Sequence, residues 1–340
     1  MNCTSKLDTM IPILTWEESA DREYRINCKH TFIKVQGESE HSARLDPDEI
    51  KLIQPAVGEG GFGAVFKGYY KSQVVAVKVL KNQKWGGKAR ELVHEVKLMK
   101  DLHNNYIANL IGAVTFPGKM CLVTDFVPYG NLGTLISSGN LSRGLKARII
   151  FDAARGIRYL HQCNIIHRDI KPENFLVESL DFLSPVCCKL SDFGTAKLIE
   201  TYSSKKKKRM SSRIGTPIYM APEMLETDYY SFPADVFSFG VSLHEIYVEK
   251  EPYSELGLKH LWDITEFIIG GNRMDIPDTV PYQVSEVIKK CWAQKPEKRP
   301  SKKTPKNHFY IYIYFALLIE IEDVVELLKT FYADVVHEIR

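Results

Sequence analysis

The spacing of apolar residues predicts strands in the first third of the chain and helices beyond it. Residues 64–66 and the β-branched run at 74–77 are typical of strands, and residues 120–123 are typical of a buried strand. Residues 89–102 and 145–161 instead repeat apolar side chains every three or four positions, which is the period of an amphipathic helix. The pattern therefore predicts a strand-rich part followed by a helical part.

Composition narrows the class of protein. A length of 340 residues favours about two domains, and an apolar fraction of 44% is enough for a core. The net charge is +3, but the run at 205–209 supplies five positive charges, and without that run the balance is −2. We therefore expect no nucleic-acid partner, because there is no general basic surface.

Cysteine usage and hydropathy point to a cytoplasmic protein. The seven cysteines contain no Cys-x-x-Cys pair, which is typical of reduced thiols in the cytosol. The longest apolar run, residues 309–319, is too short to cross a bilayer, so no membrane span is expected in this chain.

A glycine-rich motif of the form G-x-G-x-x-G-x-V precedes the β-branched run. Its members are Val57, Gly58, Gly60, Gly61, Phe62, Gly63 and Val65. The motif alone is weak evidence, because dinucleotide-binding folds share it. In those folds the loop opens a helix, whereas residues 64–66 favour a strand. Glycines allow the backbone to approach phosphate groups closely.

Two polar motifs in the second half carry the chemistry. Residues 166–174 read Ile-His-Arg-Asp-Ile-Lys-Pro-Glu-Asn, and Asp192, in Ser-Asp-Phe-Gly, follows Asn174 by eighteen residues. Phosphoryl transfer needs a group that orients the incoming hydroxyl and cations that hold the phosphates. Asp169 suits the first task, and the oxygen atoms of Asn174 and Asp192 suit Mg²⁺.

These motifs, in this order and spacing, resemble those of the eukaryotic protein kinases. The hinge sequence at 125–132 and the Cys-Trp…Arg-Pro-Ser ending at 291–301 resemble the tyrosine-kinase-like group of serine/threonine kinases. The resemblance covers about residues 50–301 and a last helix at 321–328. It implies an α+β, two-lobed fold with a small antiparallel β-sheet lobe that carries one helix (49–127) and a large, mainly α-helical lobe (128–340). Residues 1–48 are expected to be a disordered extension or the stub of a longer protein.

The resemblance also implies an ATP site. Lys78 would hold the α and β phosphates, with Glu95 on the helix as its partner and Glu91, one turn earlier, as the alternative. Thr124 would be the gatekeeper beside the adenine pocket. The other residues implied to contact the nucleotide, besides the glycine motif, are Ala76, Asp125, Val127 and Leu176.

The same resemblance assigns catalytic, structural and regulatory roles. Asp169 would accept the hydroxyl proton, Lys171 would steady the transferred phosphate, and Asn174 with Asp192 would hold Mg²⁺. An ion pair between Glu223 and Arg299 and an anchoring Asp235 would be structural. Arg168 implies regulation by phosphorylation of the loop before the Ala-Pro-Glu motif, and the regulatory set is Arg168, Ser203, Ser204, Ser211, Ser212 and Thr216.

Lys171 and the Gly215-Thr216 pair favour serine and threonine over tyrosine in the protein substrates. A tyrosine or dual-specificity kinase is the enzymatic alternative, and a scaffold with an inactive kinase fold is the alternative from another class. The chain is expected to be cytoplasmic, either alone or as the cytosolic part of a larger membrane-anchored protein.

One segment departs from the family pattern. Residues 302–319 stand between the Arg-Pro-Ser motif and the last helix, and they are rich in Lys, Tyr, Phe and Ile. We interpret them as a translated intron or a similar insertion, because A/T-rich codons give this bias. Transcript sequencing should find a major form without this segment; reads that cross it uninterrupted as the main form would contradict the interpretation.

Overall fold

The computed structural model describes residues 43–60, 63–81, 87–116, 118–139, 141–199, 215–227, 231–258 and 260–300. These residues belong to two compact units. The first contains the described residues up to Lys100 together with Leu110–Phe126, and the second contains Asp101–Asn109 and the described residues from Val127 onward. The lobe bounds given from the sequence, 49–127 and 128–340, stay a prediction.

The first unit is an antiparallel sheet with one helix. The elements are β1 (Ile50–Glu59), β2 (Gly63–Tyr70), β3 (Gln73–Leu80), α1 (Gly87–Met99), β4 (Leu110–Val114) and β5 (Cys121–Asp125). The strands lie in the order β1-β2-β3-β5-β4, and each pairs antiparallel with its neighbour.

The alternation of side chains along β3 separates the core of this unit from its other face. Val75 and Val77 are buried and pack with Leu45, Val114 and Val123 in one apolar cluster. Because successive strand residues point to opposite faces, Ala76 and Lys78 lie on the face away from this cluster. Alternate residues of β3 thus pack in the core of the unit, and the residues between them lie on the opposite face of the sheet.

The second unit is mainly helical. Its elements are α2 (Leu132–Ser137), α3 (Arg143–Gln162), β6 (Ile165–Ile166), β7 (Phe175–Val177), β8 (Cys188–Leu190), β9 (Lys197–Leu198), α4 (Pro222–Thr227), α5 (Phe232–Val248), α6 (Leu261–Ile269) and α7 (Tyr282–Cys291). The predicted long helix is α3, and it begins two residues earlier than expected because Ser142 caps it by accepting a hydrogen bond from the Leu145 amide at 3.3 Å. Every residue of α5 from 234 to 246 is buried, so α5 forms the centre of this unit.

One segment between two parts of the first unit belongs to the second unit. Asp101–Asn109 group with the second unit, whereas Leu110–Phe126 group with the first. The Leu190 amide donates to Tyr106 O at 2.9 Å, and the Ala108 amide donates to Leu190 O at 2.9 Å. This short stretch is therefore tied to β8 by main-chain hydrogen bonds.

Several sequence predictions lie outside the described residues and stay predictions. They concern residues 1–42 of the extension, Gly61, Phe62, the four serines Ser203, Ser204, Ser211 and Ser212, the insertion at 302–319 and the last helix. Within the described ranges, no helix combines the length and the apolar character needed to cross a bilayer.

The predicted ion pair between Glu223 and Arg299 is present and buried. Arg299 Nη1 lies 2.7 Å from Glu223 Oε1, and Nη2 lies 2.9 Å from Oε2, so the contact is bidentate. The guanidinium also donates to the carbonyl oxygens of Pro233, Gln294 and Ala293. One side chain thus joins the start of α4, the start of α5 and the turn after α7.

Arg299→Ala should lower the free energy of unfolding by roughly 3–5 kcal/mol, because it leaves the Glu223 carboxylate and three carbonyl groups without their partner. Chemical denaturation of the full chain measures the change, with the exposed neighbour variant Lys298→Ala as the control. A loss for Arg299→Ala no larger than that of the control would contradict a buried, structural ion pair.

Candidate active site

The candidate metal ligands lie at one end of a short hairpin in the second unit. Strands β7 and β8 pair antiparallel, with Phe175 opposite Leu190. Asn174 precedes β7 and Asp192 follows β8 by two residues, so the hairpin brings both to its open end. The Ser191 amide and hydroxyl both contact Asn174 O, at 2.9 and 3.0 Å, which joins the two loops directly.

Asp169 is surrounded by three of the predicted functional residues. Its Oδ1 accepts hydrogen bonds from the amide of Thr216 at 2.9 Å and from its hydroxyl at 2.8 Å. Its Oδ2 lies 3.0 Å from Lys171 Nζ and 3.2 Å from Asn174 Nδ2. Lys171 Nζ also donates to Thr216 Oγ1 at 2.7 Å. The carboxylate is therefore held in one orientation by groups from both sides.

Thr216 contacts Asp169 directly, through its hydroxyl and its amide. The sequence assigned Thr216 to the Gly215-Thr216 substrate-platform motif and to the regulatory set, and both roles stay predictions. Gly215, beside it, has φ of +115°, and a Cβ at this position would lie 2.5 Å from Arg168 O. The close approach of these two loops therefore requires the glycine, and it places Thr216 in the catalytic centre of the second unit.

The main chain before Asp169 is anchored by Asp235, as predicted. Asp235 Oδ2 accepts from the His167 amide and Oδ1 from the Arg168 amide, each at 2.9 Å. His161 Nε2 lies 2.8 Å from Asp235 Oδ2. Burial acts to raise the pKa of Asp235, but the hydrogen bond and charge of His161 and the contacts with His167 outweigh it and hold the pKa below its ordinary value. The anchor is thus an ionised carboxylate inside the protein.

Arg168 and His167 join the catalytic loop to the residues on both sides of Asp192. His167 Nε2 lies 2.9 Å from Ser191 O, and its ring meets that of Phe193 edge-on at 5.5 Å. Arg168 Nε donates to Thr195 O, and the Thr195 hydroxyl donates to His167 O at 2.9 Å. The regulatory role predicted for Arg168 stays a prediction, because the serines that would carry phosphate lie outside the described residues.

In the first unit, the predicted pair of Lys78 and Glu95 is present. Lys78 Nζ lies 3.6 Å from Glu95 Oε1, and the Glu95 side chain is 5% exposed. Glu91, the alternative partner, is exposed on α1. Glu95, one helical turn after Glu91, is therefore the partner of Lys78.

Four residues implied to contact ATP share one face of the sheet. Val65 pairs with Lys78 across β2 and β3, and Ala76 pairs with Thr124 across β3 and β5. Directly paired residues lie on the same face, as do Ala76 and Lys78, two positions apart. Gly63 begins β2 next to them, and a Cβ there would lie 2.0 Å from Val79 O. This face is opposite to the one that packs in the apolar core.

The remaining residues implied to contact the nucleotide fall in both units. Val57 and Gly58 lie in β1, Gly60 follows β1, and Asp125 ends β5. Val127 belongs to the second unit, where Leu176 lies in β7 and bridges to Asn131. Their contacts with adenine stay a prediction.

The residues present suit Mg²⁺. The Asn174 amide nitrogen donates to Asp169 O at 2.6 Å, which turns the amide oxygen of the planar group away from Asp169. Among the described residues, no group of three or more His, Cys, Asp or Glu side chains is arranged to hold a metal. Two oxygen-bearing side chains without a full protein cage are typical of Mg²⁺ sites that phosphate and water complete.

A cavity of about 470 Å³, which the sequence did not predict, lies beside the catalytic centre of the second unit. Its lining includes Lys171, Glu173, Thr216, Tyr219 and Glu245. The Tyr219 hydroxyl donates to Glu245 Oε2 at 2.6 Å. Glu173 stands within the catalytic motif, but Glu245 lies far along the chain on α5, and no local pattern points to it.

Burial dominates the titration of Glu245. It raises the pKa of this carboxyl from an ordinary 4.5 to about 7; the hydrogen bond from Tyr219 opposes the shift, and the charges of Glu173 and Glu251 add to it. The neutral form is therefore favoured in the folded protein over much of the range below neutrality.

Comparisons with known proteins agree with this geometry. Residues 52–309 match the family described as protein tyrosine and serine/threonine kinase. The chain belongs to this protein kinase family. The resemblance to the eukaryotic kinases and their tyrosine-kinase-like group is thereby confirmed, together with the α+β, two-lobed kinase fold.

Three relatives illustrate the match. A probable serine/threonine-protein kinase of Dictyostelium discoideum, gdt9, is 35% identical over 332 residues, 88% of this chain and 20% of that protein. The dual specificity protein kinase shkC of the same organism is 36% identical over 76% of this chain and 50% of its own length. A probable serine/threonine-protein kinase of Arabidopsis thaliana, SIS8, is 37% identical over 83% of this chain and 28% of its own length. The kinase chain thus spans half or less of each of these proteins.

The raised pKa of Glu245 makes the stability of the kinase pH-dependent. The folded state binds this proton more tightly than the unfolded chain does. Its contribution to the free energy of unfolding is therefore fully present below about pH 4.5 and is lost as the pH rises through about 7. The full contribution is about 3 kcal/mol.

Glu245→Gln keeps an acceptor for Tyr219 and removes the titration. Chemical denaturation between pH 4.5 and pH 8 should show that wild type loses about 3 kcal/mol relative to this variant as the pH rises. Glu226→Gln, an exposed change on α4, is the control and should follow wild type. Identical pH profiles for wild type and Glu245→Gln would contradict a buried, titrating Glu245.

Proposed function

We propose that this kinase domain transfers the γ-phosphoryl group of ATP to serine and threonine residues of protein substrates. The observation that carries the proposal is the setting of Asp169, whose carboxylate is held by Thr216, Lys171 and Asn174. Asp169 would accept the proton of the substrate hydroxyl while the hydroxyl oxygen of the substrate forms a bond to the γ-phosphorus. The bond from that phosphorus to the bridging oxygen breaks, and ADP leaves.

The other site residues supply positioning and charge. Lys171, 3.0 Å from Asp169, is placed to stabilise the transferred phosphoryl group. Mg²⁺ held by Asn174 and Asp192 would neutralise charge on the phosphates when bound. Lys78, oriented by Glu95, would bind the α and β phosphates. Oriented charges of this kind account for most of the rate in phosphoryl transfer.

Three observations support serine and threonine as acceptors. Lys171 stands two residues after Asp169, and Thr216 contacts both of them. The gdt9 and SIS8 relatives are named as probable serine/threonine kinases. Dual specificity is the second candidate, because shkC carries that name. A scaffold without catalysis is the third possibility, and a cytoplasmic location stays a prediction.

One assay separates these functions. The full chain is incubated with Mg²⁺, labelled ATP and a generic protein substrate, and the products are analysed for phosphoamino acids. Phosphoserine and phosphothreonine are expected, and phosphotyrosine beside them would indicate dual specificity. Asp169→Asn should reduce the rate at least about 100-fold, because a positioned base contributes about 10² to 10⁴.

Asp278→Asn, the same chemical change at an exposed loop position, is the matched control and should retain full activity. Nucleotide binding without any phosphate transfer by the wild-type protein would support the scaffold and contradict the proposed enzyme.

A further inference from the structure

The strand that carries Asp192 is short and is held at its start by a side chain. Strand β8 has three residues and pairs with β7. Its last residue, Leu190, is held by the main chain of Tyr106 and Ala108. At the other end, the Cys187 amide donates to Asp152 Oδ2 at 2.7 Å. The Cys187 carbonyl also accepts a hydrogen bond from the Glu178 amide at 2.8 Å, so a carboxylate of α3 and the main chain together hold the start of the strand.

Asp152 is fully buried and has a cationic partner on its own helix. Arg148 Nε lies 3.4 Å from Asp152 Oδ2, one helical turn away. Burial raises the pKa of Asp152 above its ordinary value, and the Cys187 amide and the charge of Arg148 act against that rise. The Cys187 amide and Arg148 thus stabilise the charged form of the buried Asp152 carboxylate.

Arg148 reaches the loop in front of β8 as well. Its Nη2 donates to Pro185 O at 2.6 Å, two residues before Cys187. Arg148 and Asp152 together therefore fix the main chain at both sides of Val186. Neither residue belongs to the catalytic motifs, and both lie on the face of α3 that packs against β8.

The path from this pair to the candidate metal site is short. Two residues after Leu190 stands Asp192, and Ser191 between them contacts Asn174 O through its amide and its hydroxyl. A strand of three residues has few hydrogen bonds of its own, so the contacts of Cys187 are a large share of those that hold β8. Asp192 follows the end of this strand and Asn174 precedes its partner strand β7.

We propose that Arg148 and Asp152 are positioning residues: they hold β8 in register and so place Asp192 beside Asn174 for Mg²⁺. This inference rests on the proposed function for the role of the metal. An apolar side chain at position 152 would remove the acceptor that the Cys187 amide uses inside the protein, which costs free energy. Groups that orient metal ligands influence metal affinity although they do not touch the metal.

Two measurements on the full chain test the inference with Asp152→Ala. The first is amide hydrogen exchange without nucleotide, in which residues 187–192 should exchange about tenfold faster while α5 is unchanged. The second is the affinity for a non-hydrolysable ATP analogue with Mg²⁺ and with chelator. The factor by which Mg²⁺ raises the affinity for the analogue should be about tenfold smaller in Asp152→Ala than in wild type. Tenfold is the low end of the effect of losing a group that orients a metal ligand.

Control variants separate positioning from loss of stability. Ile288→Ala removes a fully buried apolar side chain on α7 and should lower the melting temperature without changing either measurement. Asp152→Asn keeps an oxygen for the Cys187 amide and should restore most of the protection. If Asp152→Ala does not fold, Arg148→Ala, which changes a partly exposed side chain, should give a smaller effect in the same direction.

The outcomes distinguish this inference from the proposed function. Unchanged exchange at 187–192 in Asp152→Ala and Arg148→Ala, or a wild-type affinity that does not respond to Mg²⁺, would overturn the positioning role. A wild-type protein that transfers no phosphate but shows both expected effects would overturn the proposed function and support the positioning pair.

Discussion

The catalytic loop depends on the buried carboxylate of Asp235. It accepts hydrogen bonds from the amides of His167 and Arg168, and it contacts His161 Nε2. Each donor nitrogen lies within 3.0 Å of a carboxylate oxygen. Arg168 has φ of +71°, in the left-handed region that side chains other than glycine rarely adopt. Such a conformation persists only where the surroundings determine it, and Asp235 supplies that determination from the central helix. The left-handed conformation of Arg168 sets the direction of the main chain at the next residue, Asp169.

The second constraint is the contact of the Gly215-Thr216 segment with the catalytic loop. Thr216 contributes an amide and a hydroxyl to Asp169, and Lys171 bridges the two residues. Hydrogen bonds to a carboxylate are among the stronger ones in proteins. The loop that carries Asp169 and the segment that ends at the Ala-Pro-Glu motif are therefore one structural unit, anchored further by Tyr219 on Glu245 and by Glu223 on Arg299.

Apolar periodicity predicted a strand-rich part followed by a helical part, because the period of apolar side chains is a short-range pattern. The two-lobed fold was implied by the resemblance of the motifs to those of the protein kinases. The pairs of Lys78 with Glu95 and of Glu223 with Arg299 were predicted from the family resemblance. The contact of Thr216 with Asp169 was not predicted, because the two residues lie 47 positions apart along the chain. The contact of Asp152 with Cys187 and that of Tyr219 with Glu245 likewise join distant positions. Such contacts depend on how α3 and α5 pack, and a single sequence gives no local signal for them.

The central claim of the proposed function is that Asn174 and Asp192 hold Mg²⁺ beside Asp169 in the second unit. A crystal structure of the full chain with Mg²⁺ and a non-hydrolysable ATP analogue tests it most directly. The account predicts Mg²⁺ on Asn174 and Asp192 and the γ phosphate facing Asp169. A bound nucleotide whose phosphates and metal make no contact with Asn174 or Asp192 would contradict it.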